Sequence, residues 1–143
     1  MKIALAADHA GFEYKNYIFK YLSEKGHQIH DFGTYSSESC DYPDYIHPLS
    51  IAVENKEFDF GIIFCGSGEG VSITANKHAG IRCALCWQTD IARLTRQHNN
   101  SNIVAIPARF IAKELAQEII DTFLSTEFDG GRHQTRINKI AKW

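Results

Sequence analysis

Short apolar runs alternate with longer stretches of helical periodicity along the whole chain, and this alternation restricts the possible folds most. Lys2–Ala7, His27–Phe32, Asp59–Phe64, Ile81–Cys86 and Asn102–Ile106 read as strands. Helices are expected at Gly11–Lys25, Tyr45–Lys56, Ser72–His78, Thr89–Gln97 and Ala108–Leu124, with a last one at Arg132–Lys142. In the first helix Phe12, Tyr17, Ile18, Tyr21 and Leu22 form an apolar stripe that ends at Gly26. Strands alternating with helices imply parallel βαβ units. The expected fold is a three-layer α/β/α sandwich around a five-stranded parallel sheet, Rossmann-like, with an added C-terminal helix. Ligands in such sheets bind beyond the carboxyl ends of the strands, near a switch in strand order. The residues expected there are Asp8-His9, the turn after Phe64, Trp87, and Pro107-Ala108-Arg109.

The length, 143 residues, argues for one domain over residues 1–143. A net charge of -2 gives no general reason to expect nucleic acid or an anionic membrane as partner. The apolar start, Met1 to Ala7, is too short for a signal peptide. No run approaches the ~18 apolar residues of a membrane span. The expectation is therefore a cytoplasmic protein. Four cysteines, Cys40, Cys65, Cys83 and Cys86, do not suggest a disulfide framework in such a chain. Cys83 and Cys86 lie three apart on an expected strand. They should point to opposite faces, which suits two buried residues better than a metal or redox pair.

The turn after the third strand reads Cys65-Gly66-Ser67-Gly68-Glu69-Gly70. Glycines there let the backbone adopt positive φ and let a ligand approach the amides. Amides at the start of a helix favour an anion. Three familiar glycine or cysteine loops can be tested. A dinucleotide fingerprint needs glycine at position 71, a phosphate-binding P-loop fails at the same place, and a C-x5-R phosphatase needs arginine there. The residue is Val71. What remains is an anion or oxyanion site beside a thiol that a helix N-terminus can activate, or an inert buried cysteine.

Several separated motifs then resemble one family. They are Ala7-Asp8-His9-Ala10-Gly11, Asp41-Tyr42-Pro43, Cys65-Gly66-Ser67-Gly68, Ala75-Asn76-Lys77, Arg96-Gln97-His98-Asn99 and Gly130-Gly131-Arg132-His133. In this order, over nearly the whole chain, they resemble ribose-5-phosphate isomerase type B and its galactose- and allose-6-phosphate relatives. The resemblance implies a metal-free, cofactor-free aldose–ketose isomerase working through a cis-enediolate. It implies Cys65 as the base that removes the proton beside the carbonyl. The amides of Gly66, Gly68 and Gly70 would hold the enediolate oxygen, and Ser67 would move or hold a hydroxyl proton. His98 would open the sugar ring, Asn99 would hold the intermediate, Asp8 would bind hydroxyls and Tyr42 would pack on the sugar.

Arg132 and Arg136 are four apart, so a helix places them on one face, where two guanidinium forks suit a phosphate. A solvated basic face is the alternative. The resemblance favours the phosphate and adds His9 and Arg109 to that set. It also implies a homodimer, or a dimer of dimers, with the site at the subunit interface. Glu69 departs from the commoner family pattern. A carboxylate aimed into an anion pocket would repel its ligand, so Glu69 is expected to face solvent. The remaining histidines, His27, His30, His47 and His78, show no convincing metal spacing with a carboxylate, and no metal is expected. Ribose 5-phosphate is the leading substrate. A six-carbon sugar phosphate, a non-catalytic sugar-phosphate-binding module and a redox protein using Cys83 and Cys86 are the alternatives.

Overall fold

The computed structural model describes residues 1–141. Its elements are β1 (Lys2–Ala7), α1 (Phe12–Glu24), β2 (Gln28–Asp31), α2 (Pro43–Glu54), β3 (Phe60–Cys65), α3 (Glu69–Ala75), β4 (Cys83–Leu85), α4 (Thr89–Asn99), β5 (Ile103–Pro107), α5 (Lys113–Ser125) and α6 (Arg132–Ile137). All strand pairs are parallel, in the order β2-β1-β3-β5-β4. The chain leaves β1 for one edge and returns at β3 to build toward the other. The switch in strand order therefore lies between β1 and β3.

The central strands are buried on both faces, so they read as continuous apolar runs. Alternate residues feed two cores. On one face Ile3, Leu5, Ile62, Phe64, Val104 and Ile106 pack with Ile18 and Leu22 of α1 and Ile119, Ile120 and Phe123 of α5. On the other, Ala4, Ala6, Ile63, Cys65 and Ala105 meet Ile46, Leu49 and Val53 of α2 and Val71 and Ala75 of α3. Cys83 joins the second core and Cys86 the first, on opposite sides of the sheet as the spacing implied. Burial pushes both thiols up to about 12, which keeps them protonated.

Several boundaries differ from the sequence reading. α2 starts at Pro43, two residues earlier, because proline suits the first turn of a helix. α3 starts at Glu69 because Gly68, at φ 78, turns the chain directly into it. α5 starts at Lys113 rather than Ala108. There the chain first makes a turn in which Arg109 N–H donates to Gly66 O at 3.0 Å and Phe110 N–H to Pro107 O at 2.9 Å. β4 is shorter than expected, and α6 closes at Ile137; the expected helix end at Lys142 lies outside the described residues.

Candidate active site

β1 and β3 flank the switch and end at Ala7 and Cys65. Asp8 follows at once, its N–H donating to Phe64 O at 3.2 Å. Its buried carboxylate shapes the next turn: Oδ1 accepts from Ala10 N–H at 2.9 Å and Gly11 N–H at 3.0 Å. Gly11 is required there, since a Cβ would sit 2.5 Å from that of Phe64. Asp8, His9, Cys40, Asp41, Tyr42, Cys65, Gly66, Ser67 and Arg109 surround one open cavity of about 540 Å³. Phe110, three-quarters exposed, forms part of its rim.

Each side chain reaches this cavity for a local reason. His9 Nδ1 accepts the N–H of Cys40 at 3.4 Å, which leaves Nε2 free to carry the proton and face a ligand. Tyr42 leads into α2 and its ring lies over Gly70, where a Cβ would be 2.7 Å from the ring. The Arg109 guanidinium lies over Gly66, its Nε and one terminal nitrogen 3.4 Å from where a Cβ would stand. Gly68 faces away: a Cβ there would meet Leu85 at 2.3 Å. Gly68 and Gly70 thus serve packing through their α-carbons. Ser67 Oγ accepts from Glu69 N–H at 3.3 Å. The N–H groups of Gly66, Ser67 and Gly68 have no acceptor among the described residues. Glu69 is exposed and borders a neighbouring apolar groove with Trp87 instead of this cavity.

The other expected site residues are not here. α4 begins at the carboxyl edge of the sheet and runs back, so His98 and Asn99 lie where the strands begin. Its 11 residues span about 16 Å. Arg132 and Arg136 are with them, both exposed on α6, which the Asp129 N–H to Gln97 O bond of 3.0 Å ties to the end of α4. His98 and His133 stack, ring centroids 4.3 Å apart and 11° from parallel. Burial, then the charges of His98, Arg132 and Arg136, hold His133 below its usual 6.5. Asn99 is exposed beside a second hollow of 570 Å³ with Lys77, His78 and Arg82. That hollow is the larger of the two, but the thiol that lines it, Cys83, is pushed up to about 12 by burial and stays protonated. The expected site residues of one chain therefore fall into two separate groups, one at the carboxyl ends of the strands and one where the strands begin.

Ribose/Galactose Isomerase, a family model, matches residues 3–140. The chain belongs to the ribose/galactose isomerase family. It is 46% identical over 140 residues to ribose-5-phosphate isomerase B of Escherichia coli, covering 98% of this chain and 94% of that protein. The structure of a ribose 5-phosphate isomerase from Thermotoga maritima superposes with a TM-score of 0.98 at 55% identity, covering 99% and 98% of the two chains. Ribose-5-phosphate isomerase B from Mycoplasma genitalium, solved with bound ribulose-5-phosphate, superposes at 0.94 with 38% identity, covering 99% and 94%.

One residue in each of two of the motifs, Arg96 and Asn76, holds the fold. The Arg96 guanidinium lies 4.8 Å from the Phe60 ring centroid and 5.6 Å from that of Phe123, and donates to Ser101 O, Thr126 O and Asn100 Oδ1. Asn76 pairs both ways with the backbone of Cys83, at 2.9 Å each. Sequence reasoning missed Phe110 at the cavity rim and Asp129 beside the stacked histidines. Neither carries a local signal, because each becomes notable only when distant segments meet.

Proposed function

We propose that two copies of this chain form an isomerase that interconverts ribose 5-phosphate and ribulose 5-phosphate through a cis-enediolate, with Cys65 as the base. The observation that carries the reading is Cys65 at the switch point, beside the unengaged amides of Gly66, Ser67 and Gly68. Cys65 Sγ takes the proton from the carbon beside the carbonyl and, once the enediolate has formed, returns a proton to the former carbonyl carbon. The amides then hold the oxygen as charge develops on it, an effect worth roughly 3–4 kcal/mol per donor in other enzymes. The Ser67 hydroxyl relays a proton between the two oxygens of the enediolate. Asp8, with one carboxylate oxygen outside its turn, accepts a sugar hydroxyl, and Tyr42 covers the sugar face. Gly70 acts through Tyr42 by leaving room for its ring. His9 and Arg109 supply positive charge for the phosphate.

The remaining groups come from the second copy. Its His98 opens the furanose ring, its Asn99 holds the oxygens of the intermediate, and its Arg132 and Arg136 clamp the phosphate. Support for this pairing is the separation of the two half-sites, which no side-chain rotation within one chain bridges. Relatives named for ribose 5-phosphate, one of them holding ribulose-5-phosphate, favour the five-carbon substrate over a six-carbon one. No described helix is long and apolar enough to cross a membrane. We read residues 1–143 as one catalytic domain that works in the cytoplasm.

The test is exchange of the C2 hydrogen of ribose 5-phosphate with deuterated solvent, followed together with ribulose 5-phosphate formation. Wild type exchanges and converts. Cys65→Ala keeps the fold and loses about 10²–10⁴-fold in turnover, the usual contribution of a general base. Binding without exchange in the wild type would leave only a sugar-phosphate-binding module.

A further inference from the structure

Two thiols from distant parts of the chain meet at one cavity. Cys65 ends β3 and belongs to the core on the α2 side of the sheet, with Ile46 of that helix. Cys40 stands three residues before α2 begins at Pro43. Both line the open cavity of about 540 Å³ beyond the strand ends, which admits a molecule the size of hydrogen peroxide. Cys65 is 7% exposed and Cys40 is half-buried. The isomerase chemistry gives Cys40 no task. Residues 32–41 contain neither helix nor strand. The Cys40 N–H reaches His9 Nδ1 only at 3.4 Å, longer than the usual value of about 2.9–3.0 Å. A disulfide needs Cα atoms within about 7 Å of each other, and a segment held this lightly brings Cys40 to Cys65 without moving the sheet. Cys83 and Cys86 lie outside this cavity, and burial keeps them as inert thiols.

We propose that Cys65 and Cys40 form a peroxide-modifiable pair, in which oxidation of Cys65 is resolved by Cys40 as a reversible disulfide that switches the site off. The Cys65 thiolate attacks one oxygen of hydrogen peroxide. An S–O bond forms, the O–O bond breaks, and the other oxygen leaves as water after taking a proton. Cys40 then attacks the Cys65 sulfur. The S–S bond forms, the S–O bond breaks, and the second oxygen also leaves as water. The two thiols are oxidised by two electrons and the peroxide is reduced to two waters. The disulfide removes the base, and the shift of Cys40 takes its N–H from His9. Oxidation needs the thiolate, the form that the base role requires, so the proposal rests on that role of Cys65.

The experiment treats the full-length, reduced protein with hydrogen peroxide, alkylates the thiols that remain and digests with trypsin without reduction. Cleavage after Lys25, Lys56, Lys77, Arg82 and Arg93 puts Cys40, Cys65 and the Cys83-Cys86 pair on separate peptides, residues 26–56, 57–77 and 83–93. The expected product joins 26–56 to 57–77 within one chain, as a monomer on a non-reducing gel, with 83–93 fully alkylated. Activity falls in proportion to the cross-linked fraction, and dithiothreitol restores it. In Cys40→Ser the Cys65 sulfenic acid has no resolving thiol and goes on to sulfinic acid, so the lost activity does not return with the reductant. No 26–56 to 57–77 cross-link, cross-links only between two chains, or equal recovery in Cys40→Ser would overturn the pair. A cross-link that leaves turnover unchanged would overturn the switch and the base together. The hydrogen-exchange assay of Cys65→Ala, run without peroxide, judges the base separately: loss of exchange there with no cross-link in the wild type keeps the base and removes the pair.

Discussion

Replacing Lys15 by methionine removes one half of a buried ion pair. The lysine is completely buried on α1, and its ammonium is bonded to Asp31 Oδ2 at the end of β2. Phe12 and Tyr35 lie 5.7 and 5.6 Å from the ammonium. The other Asp31 oxygen accepts Gly33 N–H at 2.8 Å and so begins the loop that leads to Tyr42. Methionine fills the space but leaves the carboxylate with one backbone donor and limited water, since its side chain is 24% exposed. Breaking such a pair costs about 3–5 kcal/mol, and the residual exposure points to the lower end. For a chain of this length, 3 kcal/mol lowers Tm by about 10 °C. Urea unfolding at fixed protein concentration measures it, with the m-value unchanged. Lys15→Met with Asp31→Asn should recover much of the loss, because no charge is then stranded. A cost below about 1 kcal/mol, typical of an exposed pair, or a double variant worse than the single one, would refute the reasoning.

Gly70→Ala puts a Cβ 2.7 Å from the Tyr42 ring; the exposed ring swings aside, so KM rises while stability falls by less than about 1 kcal/mol. The Ser50 hydroxyl is buried without a hydrogen-bond partner among the described residues, so Ser50→Ala should leave stability equal or raise it by about 1 kcal/mol in chemical denaturation. The folded protein holds His133 below 6.5, so its contribution to stability is complete above that pH. It is lost as pH falls toward the lower folded value, because the unfolded chain binds the proton first. His133→Gln should flatten that part of the stability profile, and NMR titration of the ring should show the depressed midpoint directly.

The strands were legible because a sheet buried on both faces demands apolar runs, as in Ile62-Ile63-Phe64. The cavity was legible because strand ends fix it: Asp8 and Cys65 follow directly from where β1 and β3 stop. Helix starts were less so. Residues 108–112 carry helical propensity, but hydrogen bonds from Arg109 and Phe110 back to Gly66 and Pro107 hold them in a turn. The motifs did not separate chemistry from support, as Arg96 and Asn76 show. The division of the expected site between two edges could not be read locally. It follows from the direction in which α4 crosses the sheet, a property of the whole topology.

The most direct test of the shared site mixes two disabled variants. Cys65→Ala lacks the base, and Arg132→Ala with Arg136→Ala lacks the clamp; each alone is expected to be nearly inactive. If the half-sites join across a two-fold interface, a mixed dimer holds one site with both parts intact and one with neither. Co-expression with random pairing should then restore about a quarter of wild-type activity. A mixture as inactive as its components would contradict a site built from two copies.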